Sequence, residues 1–152
     1  MGFDLKTIYQ ALEYSVGRFT GTGNNHEGQT FAGTLVFETI LGGRGFQIKY
    51  LATGVDGELY HAEHSMICPD ADGHLCLWNL NTNAPGLICH RLTDFQSEPF
   101  QLDFTYGDLD ALDTFRERIR LGIDADGSLF YGYAWGLPGG DFAERSGLIL
   151  KR

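Results

Sequence analysis

The chain has 152 residues, with 11 Lys plus Arg against 20 Asp plus Glu, so its formal net charge is −9. Nucleic acid and anionic membrane surfaces need clustered Lys and Arg, and the longest basic run here is Lys151-Arg152, so both are excluded as partners. Glycine (21 residues) stands beside 13% aromatic and 43% apolar residues, a composition that excludes disorder and assigns the glycines to folded geometry.

At this length roughly 70% of the unfolded surface can be buried, so a single domain needs neither metal nor disulfides to hold its core. No apolar run approaches the roughly 20 residues of a membrane helix, and Met1 to Lys6 lacks the basic start and apolar stretch of a signal peptide. The expectation is a soluble, cytoplasmic chain. Cys68, Cys76 and Cys89 are odd in number and form no C-x-x-C pair, so they read as buried reduced thiols.

Asp4 stands before Leu5, Ile8, Tyr9 and Leu12, whose spacing marks one helical face; this predicts a short helix over 5–14 with Asp4 as N-cap. The period then changes to two. Ten strands follow: 16–23, 31–41, 45–53, 58–67, 74–81, 86–92, 99–106, 114–123, 128–137 and 143–150. Asp56-Gly57, Asp72-Gly73 and Asp126-Gly127 carry tight-turn chemistry, as do Gly42-Gly43 and Gly139-Gly140, so neighbours run antiparallel. With no second helix to make crossovers, the pattern predicts an all-β, antiparallel up-and-down barrel of about ten strands spanning 1–152, with a sandwich as the alternative.

Alternation assigns faces. Phe115, Glu117, Ile119 and Leu121 share one side of their strand, so Glu117 points inward and Arg116, Arg118 and Arg120 face solvent. Tyr131, Tyr133 and Trp135 line one face of theirs. In Tyr60-His61-Ala62-Glu63-His64 the period of two sends His61 and Glu63 to one side and His64 to the other, so the histidines do not share a metal. One inward imidazole, His61 or His64, is expected as a polar contact. Asp70-Ala71-Asp72-Gly73 and Asp124-Ala125-Asp126-Gly127 read as turns, because a calcium loop needs further ligands before its Gly and a Glu after it. No Gly-x-Ser-x-Gly elbow, phosphate cradle or carboxylate pair is present in the pattern.

Gly17-Arg18-Phe19 directly after a short helix resembles the Gly-x-Trp start of calycin barrels, with Phe in place of Trp. Gly42-Gly43-Arg44-Gly45-Phe46 before a strand with Tyr50, Asp72-Gly73 before a strand with Trp78, and the closing Leu150-Lys151-Arg152 extend the likeness. Together these motifs resemble a bacterial lipocalin-like family of unknown function and, more distantly, the nitrobindin group of haem-binding barrels. The resemblance implies a calycin-like barrel whose closed end is plugged by the Phe19 ring. Nitrobindins hold haem through a histidine near the C-terminus, and this chain has no His after His90. Haem is therefore a minor alternative, and no cofactor is expected.

The leading expectation is a non-catalytic barrel that takes a small apolar or aromatic molecule, with Tyr50, Trp78, Tyr133 and Trp135 as contact surface and His64 and Glu117 as orienting polar groups. The first alternative is a barrel enzyme, an isomerase, lyase or decarboxylase, pairing an inward Glu with Tyr or His. A homodimer through an apolar outer face is a further alternative.

Overall fold

The computed structural model describes residues 2–152. Asp4 caps helix α1 (Leu5–Tyr14) by accepting from the Thr7 amide, and Ile8 and Leu12 on its inner face are fully buried. The strands are β1 (Gly17–Asn25), β2 (Thr30–Ile40), β3 (Gly45–Gly54), β4 (Leu59–Pro69), β5 (Leu75–Asn81), β6 (Ile88–Ser97), β7 (Phe100–Tyr106), β8 (Arg116–Ile123), β9 (Leu129–Gly136) and β10 (Ala143–Leu150). Each pairs antiparallel with the next, and β1 closes on β10 with Gly23 opposite Leu148, giving a closed ten-stranded barrel. This is the predicted fold class, and it is compatible with a calycin-like architecture. The helix among the described residues is too short to cross a membrane.

Closure abolishes the free sheet edges that would otherwise invite pairing with other chains. At the closing seam β1 lies so near β10 that a Cβ on Gly21 would collide with the Ile149 carbonyl oxygen. Four hairpins share one turn design. At 54–58, 70–74, 124–128 and 25–29 the first residue's amide bonds the last residue's carbonyl, and the fourth residue is a glycine at positive φ. An Asp or Asn oxygen in each turn accepts backbone amides: Asp56, Asp70, Asp126 and Asn25. Three of these are the predicted Asp-Gly turns; Asn25 to Gln29 is an additional member.

The two ends differ. At one end α1 packs under the barrel, with the Tyr9 hydroxyl donating to the Arg44 carbonyl and its ring edge-on to Phe46. Phe19 is fully buried there, and the Arg152 guanidinium stacks 4.7 Å from its ring centroid while donating to the Val16 and Tyr14 carbonyls. Phe37, Phe46, Ile48, Ile67, Leu77 and Leu150 fill the space above with apolar side chains. The other end, formed by the connections 25–30, 54–59, 81–88, 106–116 and 136–143, is the mouth.

The outer face corrects two expectations. Arg116 is fully buried rather than solvent-facing, because the β9–β10 connection folds over it. Its guanidinium donates to the carbonyls of Thr114, Leu137 and Gly140 and lies against Gly136, where a Cβ would stand 2.5 Å from its central carbon. Arg120 forms a two-bond pair with Asp103 across to β7, and Arg118 pairs with Glu144. Of the three free thiols only Cys76 is buried; Cys68 is half-buried and Cys89 exposed, all on the outside of β4 to β6.

Candidate functional site

The middle of the barrel carries a polar layer between the apolar closed end and the mouth. It is built by alternation on five strands: His61, Glu63 and Ser65 of β4, Asn79 and Asn81 of β5, His90 of β6, Glu117 of β8, and Tyr131 and Tyr133 of β9. Glu63 is its centre. Oε2 accepts from the Ser65 hydroxyl at 2.5 Å and the Tyr131 hydroxyl at 2.6 Å; Oε1 meets the Tyr133 hydroxyl at 2.5 Å and His61 Nε2 at 3.1 Å. Asn79 Nδ2 donates in turn to Ser65 and Tyr133, and its Oδ1 accepts from Asn81. Every donor in this network therefore runs toward one carboxylate, the arrangement that a negative charge polarises favourably.

Burial pushes the Glu63 carboxyl up, but the hydrogen bonds from His61, Ser65 and Tyr131 outweigh it and hold its pKa below the ordinary value. For Tyr131 and Tyr133 burial and the neighbouring Glu63 charge act together and push both phenols well up. Burial, then Glu63, raises Tyr50 as well. The proton on His61 can be placed. Asn83 Nδ2 donates both to the Tyr60 carbonyl and to His61 Nδ1, so Nδ1 is an acceptor and the ring hydrogen sits on Nε2, facing Glu63.

Above this layer lies a cavity of about 610 Å³ that opens at the mouth, within the size range of small-molecule sites. Phe31, Tyr50, Tyr60, Phe115, Tyr133 and Trp135 form its aromatic wall, and His61, Asn81 and Glu117 supply polar atoms. Glu117 Oε1 stands 2.7 Å from His90 Nε2, with His90 itself fully buried behind it. At the rim Arg145 stacks 4.4 Å over Trp135 and donates to the Trp135 and Asp141 carbonyls.

Four of the six residues expected from sequence, Tyr50, Glu117, Tyr133 and Trp135, meet in this one cavity. The other two do not. His64 is exposed on the outside of β4, bonded to Gln47, because the inward places belong to Glu63 and Ser65 on either side of it. Trp78 lies on the outer face of β5 between Met66 and Cys89, because Leu77 and Asn79 take the inward places. Sequence reasoning passed over Glu63, Ser65, Asn79, His90 and Tyr131 as site residues. The available signal was polarity at inward parity: His61 and Glu63 had been placed on one face, and Asn79 interrupts an apolar strand.

The cavity does not fit a haem held as in nitrobindins. The inward residues of β10 are Ser146, Leu148 and Leu150, none with a nitrogen ligand, and His61 uses both ring nitrogens. Comparison with known proteins finds no family model and no curated protein that matches this chain.

Proposed function

We propose that the protein is a binding barrel, lipocalin-like in the sense of a calycin-type cup, that receives a small apolar or aromatic molecule through its mouth. The observation that carries this reading is the cavity of about 610 Å³ with six aromatic residues in its wall above a polar layer. An interior needed only for packing closes up to native density; this one closes at the α1 end and stays open at the other. Free thiols accord with a cytoplasmic setting.

Dansylamide, a neutral aromatic probe whose emission rises and shifts to the blue in apolar sites, tests the reading. Saturable enhancement is expected in the wild type. Ala52 lies in the cavity wall with its side chain inward, so Ala52→Phe is expected to block uptake while circular dichroism stays unchanged. Absence of saturable binding to the wild type sinks the proposal.

A second reading, an acid–base enzyme, rests on the contact between Glu117 and His90 at the cavity wall. Native mass spectrometry of a retained ligand, before and after incubation at working temperature, separates the two: a binder returns its ligand unchanged, and an enzyme does not.

A further inference from the structure

The geometry points to an organic ammonium as the class of molecule this cavity takes: a protonated amine carried on an aromatic or aliphatic body. The inference rests on the binding reading above and adds the charge of the occupant.

Glu117 in the cavity wall and Glu63 beneath the cavity place two carboxylates in the polar layer, and they differ in what they have left to offer. Glu63 receives two donors on each oxygen and is saturated. Glu117 lines the cavity and receives one donor, His90 Nε2 on Oε1, which leaves Oε2 without a partner among the described residues. His90 gives it one hydrogen bond through Nε2, and the other ring nitrogen, Nδ1, is buried with no partner among the described residues. A hydrogen on Nδ1 would be a donor stranded without an acceptor. Glu117, itself 7% exposed, is left as a nearly buried carboxylate with one oxygen free and no Lys or Arg paired with it among the described residues.

Three further features suit the same occupant. The Tyr50 hydroxyl, in a side chain 6% exposed, lines the cavity and makes no hydrogen bond to the described residues, so it is free to accept from an ammonium. The ring faces of Phe31, Tyr50, Phe115, Tyr133 and Trp135 carry the negative quadrupole that attracts a cation, and Arg145 already exploits Trp135 in this way at the rim. Glu27 and Glu58 at the mouth add negative field along the entrance. Arg145 is the one Lys or Arg among the lining residues, and two of its nitrogens are already committed to backbone carbonyls. An anionic head would have that single rim Arg against the carboxylates of Glu117 in the wall and Glu63 beneath it.

The test is a fluorescence titration at neutral pH with three dansyl probes that share a body: dansylcadaverine (cation), dansylamide (neutral) and dansylglycine (anion). The expected order in the wild type is cation first, with dansylcadaverine tighter than dansylglycine by about tenfold or more. The net charge of −9 attracts any cation from a distance, so the decisive arm is Glu117→Gln, whose amide oxygen still accepts from His90. In that variant the preference for dansylcadaverine over dansylglycine is expected to fall to about threefold or less while circular dichroism stays unchanged. Tyr50→Phe, which keeps the ring in the wall, is expected to weaken dansylcadaverine more than dansylamide. Dansylglycine binding as tightly as dansylcadaverine, or a preference that survives Glu117→Gln, overturns the inference and leaves the binding barrel standing. Failure of all three probes removes the binding reading itself.

Discussion

Glu63 shows how an ionised group is kept inside an otherwise apolar barrel. Four donors offset the hydration it has lost, so deleting its charge leaves Tyr131, Tyr133, Ser65 and His61 with donors and too few acceptors. Glu63→Gln is expected to destabilise the fold by about 2–4 kcal/mol at neutral pH, read as a lower urea midpoint. The pH dependence has a fixed sign. With its folded pKa below the ordinary value of 4.5, the Glu63 contribution is complete above that value and is lost as pH falls through the folded one. The gap between wild type and Glu63→Gln should therefore narrow only in acid; a gap that stays constant to pH 3 contradicts the assignment. On the alkaline side Tyr50, Tyr131 and Tyr133 have folded pKa values above 10.0, so their contribution is full below pH 10 and is lost as pH rises through the folded values. In an ultraviolet titration three of the seven tyrosines should ionise only as the barrel opens.

At the scale of elements, the seam between β1 and β10 is the pairing that neither hairpin turns nor neighbouring sequence enforce. It depends on close backbone approach at Gly21, and Gly21→Ala sets a methyl group against the Ile149 carbonyl. A loss of about 3 kcal/mol or more is expected, together with rapid amide exchange in β1 and β10. A variant with wild-type stability would mean that the seam has slack. All ten strands and the helix were legible in sequence, because alternation and Asp-Gly turns are local signals that agree with the global fold. β6 was the least well bounded: it runs to Ser97, and the irregular register between Leu92 and Asp94 breaks the alternation that would have extended it. Parity assigned faces correctly for Glu117, Tyr133 and Trp135. It could not show that the β9–β10 connection covers Arg116, since that burial is made by residues more than twenty positions away. His64 and Trp78 fail for a related reason: residue type drew them into the site, while the inward places of β4 and β5 belong to the other parity.

Across the whole molecule, stability and site are divided along the barrel axis. The closed end holds Ile8 and Leu12 of α1, Phe19 and the apolar layers, all with essentially no exposure, whereas Val55, Leu59 and Leu87 near the mouth are largely exposed. Phe19→Ala should cost about 3–5 kcal/mol, and Leu59→Ser no more than about 0.5 kcal/mol, both measured by denaturant unfolding. Equal effects would contradict the division.

The repeated turn design has a consequence for engineering. Each such connection carries its own folding instructions, an Asx oxygen for the amides and a glycine for the reversal, and its ties to the barrel are few: His26 edge-on to Trp135, and Asp70 to Arg91. The two that border the cavity, 25–29 and 54–58, are thus interchangeable parts. Loops of other lengths and chemistries can be grafted there to retune what the cup admits, while its base remains untouched.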